Sequence, residues 1–383
     1  MSTFVVTYRN ISKVWNHPNA DRLDLAQVDG LSYQFVVGRD EYKIGDEVLY
    51  FPVDSVLCKS LISELGLEGR LSGKDKNRIK TVRLRGEISQ GLVAKPITAF
   101  GKNVLGPDIY GIAKSFKELF IEQGAVEFTR VIGVTKYDPP PIMSHAGNLV
   151  HMPDEVGVYD IEGADQFPEI IEELMDQRVS ITEKVEGTNF WISAAPCDKL
   201  FINGEKLQEF SLLPKISFGQ RHHEIQPIEG VEHSFLRLAK ELKLDRFVSI
   251  LASDMFKGHR VTARGEYAGP GVQGNIYKLP TNQIYIFDIK VGERYLSPEE
   301  FVTITSLHGV RIPPIVAHDV VLKDFLNGRT IREVSTGPSV ISVGKAILRE
   351  GIVIKPMTEQ RNQKIGRLFI KQRSPEYLAE NDL

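Results

Sequence analysis

Cysteine is scarce. The 383 residues include two, Cys58 and Cys197, and they have no paired spacing. That excludes a disulfide framework and a cysteine zinc site, and it fits a reducing compartment. No apolar run is long enough to span a membrane. The start, Met1-Ser-Thr-Phe-Val-Val-Thr-Tyr-Arg9, lacks a signal-peptide layout. A cytoplasmic protein without a membrane partner is therefore expected. A large net charge is also missing. There are 47 Lys and Arg against 50 Asp and Glu, for a formal charge of −3. Nothing global announces a polyanion partner, so any nucleic-acid surface must be local. Internal repeats and low-complexity tracts are absent. What remains is an ordinary globular composition, long enough for two or three domains.

Residues 1–100 are rich in short strand-like runs. These are Phe4-Val-Val-Thr7, Leu23-Asp-Leu-Ala-Gln-Val28, Tyr33-Gln-Phe-Val-Val37, Glu47-Val-Leu-Tyr-Phe-Pro-Val53, Thr81-Val-Arg-Leu-Arg85 and Gly91-Leu-Val-Ala-Lys95. Turn residues separate them. Five or six short strands at this spacing suit a small closed barrel such as an OB-fold. His17-Pro-Asn-Ala-Asp-Arg-Leu23, followed by a strand, resembles the opening of OB modules that bind tRNA, although a plain turn accounts for it equally well.

The segment 70–85 carries seven cations, Arg70, Lys74, Lys76, Arg78, Lys80, Arg83 and Arg85, against the single acid Asp75. Arg83 and Arg85 alternate along an expected strand and so would share one face. Clustered cations beside such a barrel suit a phosphate backbone, where counterion release drives binding. Arg78, Lys80, Arg83 and Arg85 are the RNA-binding candidates. A solvated loop is the plain alternative.

Residues 101–124 form an expected helical connector, with Ile112, Phe116, Leu119 and Phe120 on one face. The three prolines Pro139, Pro140 and Pro141 cannot sit inside a helix or central strand. The second domain is placed at 125–383. Helices are expected at Pro168–Asp176 and Val231–Leu244, the latter with Phe235, Leu238, Ala239 and Leu242 as its buried stripe. Ser297-Pro-Glu-Glu300 is a helix start, with Ser297 as cap and Glu300 closing a capping box. Strand-like runs lie at 261–268, 283–291 and 351–355. Strands with helices packed outside them make an α+β domain.

The chemistry centres on Ile181-Thr-Glu-Lys-Val-Glu-Gly-Thr-Asn-Phe190. An apolar, alternating approach carries Lys184 to a turn at Gly187. Lys184 is the candidate nucleophile, and Glu186 could hold a divalent cation. A lysine at its reference pKa of about 10.4 is protonated at neutral pH and cannot attack a phosphate. Burial and nearby positive charge are expected to lower that value. Lys-x-x-Gly by itself is equally a strand end with a solvated lysine. Further pieces follow in Arg264-Gly-Glu-Tyr-Ala-Gly-Pro-Gly-Val-Gln273, Ile284-Tyr-Ile-Phe-Asp-Ile289, Arg349-Glu-Gly-Ile-Val-Ile-Lys-Pro356 and Phe369-Ile-Lys-Gln-Arg373.

Together and in this order, these pieces resemble the five nucleotidyl-transferase motifs of the covalent nucleotidyl transferase superfamily, which comprises RNA ligases, DNA ligases and capping enzymes. The likeness covers roughly 181–373. Thr182-Glu-Lys-Val-Glu-Gly-Thr-Asn-Phe190 and Glu350-Gly-Ile-Val-Ile-Lys-Pro356 are similar to the RNA ligase branch. Arg83-Leu-Arg-Gly-Glu-Ile-Ser-Gln-Gly-Leu92 and Gly133-Val-Thr-Lys-Tyr-Asp-Pro-Pro140 resemble RNA ligases that carry an OB domain before the transferase. The resemblance implies an N-terminal OB barrel followed by an α+β, ATP-grasp-like nucleotidyltransferase domain of antiparallel sheets flanked by helices.

It also implies roles. Lys184 would attack the α-phosphate of ATP to form a lysyl-AMP. Thr182 and Glu183 would lie near the adenine edge, and Phe287 would stack on the purine. Glu266 would bind the ribose hydroxyls or a metal-bound water. Arg221 would grip ribose or phosphate. Glu186 and Glu350, with Glu266, would organise Mg2+ or Mn2+. Lys371 and Arg373 would hold the α-phosphate. The implied partner is RNA, as a nicked duplex, free ends or an RNA/DNA hybrid, handled by a monomer.

Two positions depart from the family pattern. Many relatives carry Asp where this chain has Glu186, and the last motif usually ends in a second lysine where this chain has Arg373. Arginine stays charged, so a neutral amine there is excluded. Rival readings are a capping guanylyltransferase or ATP-dependent DNA ligase and, in another class, a non-catalytic RNA-binding protein.

Overall fold

The computed structural model describes residues 4–95, 116–137, 147–196, 201–202, 205–206, 214–344 and 346–381. Pro139, Pro140, Pro141, Cys197, Ile112 and most of the expected connector lie outside the described residues. The chain divides into two compact units. The first comprises Met1–Pro140, Glu162–Glu172 and Pro375–Asp382, and the second holds Pro141–Ile161 and Glu173–Ser374.

The first unit is built on a five-stranded antiparallel, OB-like barrel. Its strand order is Phe35–Gly38, Leu23–Val28, Thr7–Asn16, Glu47–Phe51, Leu92–Ala94. The long strand changes partner midway. Thr7 to Asn10 pair with Tyr50 to Glu47, and Ile11 to Asn16 pair with Val28 to Asp24, across a register shift between Ile11 and Lys13. A bulge of this kind turns a sheet corner. The sequence pointed to Phe4–Thr7 alone, because most side chains of Thr7–Asn16 stay partly or fully exposed and leave no apolar alternation. The central strand Glu47–Phe51 is buried on both faces. Leu49 and Phe51 enter one core with Val6, Leu57 and Leu61, and Val48 and Tyr50 enter another with Ile11, Val28 and Phe35.

The expected boundary at 125 falls inside the helix Phe116–Val131, which breaks its helical dihedrals at Gly124. Leu119, Phe128 and Ile132 bury in the same core as Leu49 and Phe51, and Val134–Lys136 pairs with Ser55–Leu57. Apolar surface beyond residue 125 is therefore spent on the first unit, which continues to Pro140. The basic segment also differs from expectation. Val82–Leu84 and Glu87–Ser89 form a hairpin, and Arg85 sits in its two-residue turn at φ 51° with Gly86 at 98°. Two positive φ values match the twist of a tight hairpin. Arg83 and Arg85 thus do not share a strand face.

The second unit is built on two large antiparallel sheets. One runs Gly147–His151, His223–Pro227, Lys215–Gln220, Thr188–Ala195, Val261–Ala268, Gln283–Val291, Arg294–Tyr295. The other places Ile370–Arg373, Gly351–Pro356, Arg178–Lys184 and Ile315–Val321 side by side. Helices Ser234–Glu241 and Leu244–Ile250 pack Phe235, Ala239, Phe247 and Val248 onto the first of these sheets. The expected helix at 231–244 is shorter, Ser234–Glu241; Lys243 at φ 58° then opens a second helix, and Leu242 is exposed rather than buried. Ser297 and Glu300 form the capping box that opens Pro298–Leu307. Among the described residues, no helix is long and apolar enough to cross a membrane.

Candidate active site

Strand order assembles the site. Arg178–Lys184 lies beside Gly351–Pro356, which lies beside Ile370–Arg373, so Lys184 faces Gly351 and Gly351 faces Arg373. One step back, Thr182 faces Val353 and Val353 faces Lys371. Directly opposed residues point to one side of a sheet, and alternate residues of a strand share that side. Thr182, Lys184, Lys371 and Arg373 therefore belong to a single face. Gly351 permits the close spacing, since a Cβ there would lie 2.1 Å from the Gln372 carbonyl oxygen.

After Lys184 the chain turns through Val185, Glu186 and Gly187 and enters the other sheet as Thr188–Ala195. A Cβ on Gly187 would sit 2.5 Å from the Tyr267 carbonyl oxygen and 2.9 Å from Glu266 Cγ. Only glycine lets the turn pass this close. The Glu186 N–H donates to the Tyr277 hydroxyl at 2.6 Å, which fixes the turn from the far side.

The Lys184 ammonium donates to Glu350 Oε2 at 2.6 Å, and Arg373 Nε lies 3.3 Å from the other oxygen of that carboxylate. Glu350 is almost wholly buried, and Lys184 keeps about a quarter of its side chain accessible. Burial pushes the Lys184 pKa down, but Glu350, Glu186 and Glu266 outweigh it and hold the amine above its ordinary value. The expectation of a lowered pKa is corrected for the protein alone. The charges of three carboxylates act on the amine, and the charge of Arg373 opposes them. Glu266 is pushed up to about 8 by burial, with Glu350 and Glu186 adding to the rise and Lys184 and Arg221 working against it. Arg221 sits in the turn after Lys215–Gln220 and donates to Asp160.

Glu183 points the other way. Its buried carboxylate accepts from Ser339 Oγ and, at 3.4 Å, from the Val340 N–H. Burial raises its pKa. The side chain is committed to the 339–340 loop, and the Glu183 N–H donates to the Pro314 carbonyl at 2.8 Å. Phe287, half-buried, lies in the other sheet, packed at 5.1 Å against Tyr159. The next residue, Asp288, is 1% exposed and collects donors from Lys355 and Arg367, each at 2.9 Å, and from the Tyr159 hydroxyl at 2.5 Å. Lys355 and Arg367 overcome burial and hold the Asp288 carboxyl below the usual range.

A family model described as RNA ligase matches residues 177–372, more than half of the chain, and takes in Lys184, Glu186, Glu266 and Glu350 of this site. The chain belongs to the RNA ligase family. Residues 5–97 of this RNA ligase match a model described as an OB-fold domain. No curated protein sequence matches it. Among solved structures, the RNA ligase of Naegleria gruberi with PPi is 22% identical, at TM-score 0.72, over 100% of this chain and 99% of that one. A mutant form with ATP and Mn is 22% identical, at TM-score 0.70, over 99% and 100%. At this identity the likeness establishes the fold, a barrel followed by two sheets.

Of the predicted residues, Lys184, Glu350 and Arg373 are in contact, and the charges of Glu186, Glu266 and Arg221 act on the same cluster. Asp160, Asp288, Tyr159, Arg367, Tyr277 and Ser339 escaped notice in the sequence. Asp288 did leave one signal, a lone carboxylate in the apolar run Ile284-Tyr-Ile-Phe-Asp-Ile289, which a buried strand tolerates only with paired cations. In the first unit, Arg78 is taken by Asp54 at 2.6 Å and lies 3.5 Å over the Tyr137 ring. Arg83 pairs with Glu376 and donates to the Gly86 carbonyl at 2.8 Å.

Among the described residues, no group of three or more His, Cys, Asp and Glu side chains is arranged to hold a metal by itself. The donors nevertheless suit a hard divalent cation. They are carboxylate oxygens, and burial, with Glu350 and Glu186 adding to it, holds Glu266 well above a normal carboxyl; such ions complete their shells with phosphate and water.

Proposed function

We propose that this chain is an ATP-dependent RNA ligase. It joins an RNA 3′-hydroxyl to a 5′-phosphate through a lysyl-AMP and an adenylylated RNA end, in RNA repair or nick sealing. The observation that carries this reading is the Lys184–Glu350–Arg373 arrangement, one reachable lysine set among carboxylates with a guanidinium across the same sheet face.

In the first step Lys184 Nζ forms a bond to the α-phosphorus, the bond to the bridging oxygen breaks, and pyrophosphate leaves. In the second, an oxygen of the RNA 5′-phosphate displaces Nζ from that phosphorus. In the third, the 3′-hydroxyl oxygen attacks the activated 5′-phosphate and AMP departs. Before the first step the ammonium must lose a proton, and Glu350 Oε2 is the atom that already accepts its hydrogen bond. Arg373 and Lys371 draw off charge from the phosphate oxygens. Phe287 offers its face to the base, a contact of about 1–3 kcal/mol. Arg221 and Glu266 border the ribose, and Thr182 and Glu183 border the base edge. Mg2+ or Mn2+ held by Glu186, Glu350 and Glu266 would screen the phosphate charges and favour the neutral amine. Arg83 and Arg85, on the first unit's hairpin, and Lys80 just before it would follow an RNA backbone.

Incubation with α-labelled ATP or GTP tests the reading. ATP should label the wild type and leave Lys184→Ala unlabelled. Label from GTP alone would overturn the proposal.

A further inference from the structure

Lys355 carries an ammonium that does two things at once. It donates to Asp288 Oδ2 at 2.9 Å and to the backbone carbonyl of Phe287, also at 2.9 Å. It reaches from the strand Gly351–Pro356 of one sheet to Gln283–Val291 of the other. Asp288 is held in turn by Arg367 and by the Tyr159 hydroxyl. The Tyr159 ring packs against the Phe287 ring and is backed by Tyr295 at 5.8 Å and Phe369 at 5.5 Å. Phe287 is thus fixed twice, once through its own carbonyl and once through a ring anchored on its neighbour's carboxylate.

We infer that Lys355, locked in place by Asp288, is a positioning residue that presets Phe287 as the platform for the nucleotide base. The inference rests on the reading of this site as the ATP site. Lys355 keeps 18% of its side chain accessible, but its ammonium is engaged in this bridge and would contact neither phosphate nor metal. A platform held in its bound geometry does not have to be ordered when the base arrives. Stacking on the base is equal in the ground and transition states, so the gain falls on affinity and not on the chemical step.

The experiment follows lysyl-adenylate formation in the full-length protein across ATP concentrations, for wild type, Phe287→Ala, Lys355→Met and the double variant. Each single change should raise KM for ATP about tenfold and leave the saturating rate within about threefold. The double variant should be no worse than Phe287→Ala by more than about twofold, because Lys355 acts through that ring. A role in the fold alone would lower the melting temperature and the active fraction without moving KM. Lys355→Met leaves Asp288 with Arg367, but a broken buried pair can unfold a protein. Lys355→Met with Asp288→Asn removes both charges together and should show the same KM rise. An unchanged KM in a folded Lys355 variant, or effects that multiply in the double variant with Phe287→Ala, would overturn the inference. A wild type that forms no adenylate with ATP would overturn the underlying assignment of the site instead.

Discussion

The Nζ of Lys184 lies 2.6 Å from Oε2 of Glu350, although 166 residues separate them in the chain. Two adjacent strands make the contact, with Lys184 opposite Gly351. The same pairing sets Arg373 opposite Gly351 from the other side, so one buried carboxylate is shared between an amine and a guanidinium.

Removing the amine should separate the two activities of the chain. Lys184→Ala is expected to form no adenylate and to keep most of its RNA affinity. The checks are labelled-ATP transfer and a filter-binding titration with RNA. Retained labelling would place the nucleophile elsewhere.

The glycine opposite Lys184 should tolerate no side chain. In Gly351→Ala the new Cβ meets the Gln372 carbonyl at 2.1 Å, and backbone cannot withdraw as a flexible side chain can. The two strands must part, at a cost of about 1–3 kcal/mol. Adenylation should fall together with the midpoint of urea unfolding, and a folded, fully active Gly351→Ala would contradict the pairing.

Arg78 and Arg85 should behave differently despite similar positions in a basic segment. Arg78 is bound to Asp54 and Tyr137, with 12% of its side chain exposed, so Arg78→Ala should destabilise the first unit by about 1–3 kcal/mol. Arg85 stands exposed at a hairpin tip. Arg85→Ala should change stability by no more than about 0.5 kcal/mol and weaken RNA joining while sparing self-adenylation. Equal loss of both activities in Arg85→Ala would argue against a separate RNA surface.

Acid should weaken the fold through His233. Its Nδ1 accepts from the Phe235 N–H at 3.1 Å and caps the helix Ser234–Glu241, which requires an unprotonated nitrogen. Burial lowers its pKa. The unfolded chain takes up the proton near about pH 6.5, before the folded one does, so this contribution is complete above that pH and is lost as pH falls through the folded value. Between pH 7.5 and 5, the urea midpoint of wild type should drop further than that of His233→Asn, which can cap without titrating. Equal drops would remove His233 from the account.

Chelation should stop adenylation and leave the fold intact. EDTA is expected to abolish labelling from ATP with no change in circular dichroism, and excess Mg2+ or Mn2+ should restore it. Labelling that persists in EDTA would remove the divalent cation from the first step.

Several features were legible because their signals are local. The strands Val261–Ala268 and Gln283–Val291 stand where the strand-like runs lie, and the Ser297–Glu300 capping box forms as its spacing required. Lys184, Glu266, Glu350 and Arg373 could be named in advance because each motif carries its own few residues of pattern, and the contact of Lys184 and Arg373 with Glu350 is what the structure adds. Other features were not local. Thr7–Asn16 is a strand through its pairing with two neighbours, and its own side chains say little. Phe128 and Ile132 look like the start of a new domain until the core they enter is known.

The sequence alone determined which chemical groups are available, a lysine before a glycine turn, acids in the following motifs and a basic pair on the last strand. It determined the class of fold as well, since period and turn chemistry act over a few residues. Tertiary structure decided where each group points and what charge it meets. Glu183 turns away to a loop, Arg78 is consumed by Asp54, and Lys184 is held protonated by three carboxylates. Orientation and electrostatic energy depend on distances between strands far apart in the chain, and those distances exist only after the sheets have formed.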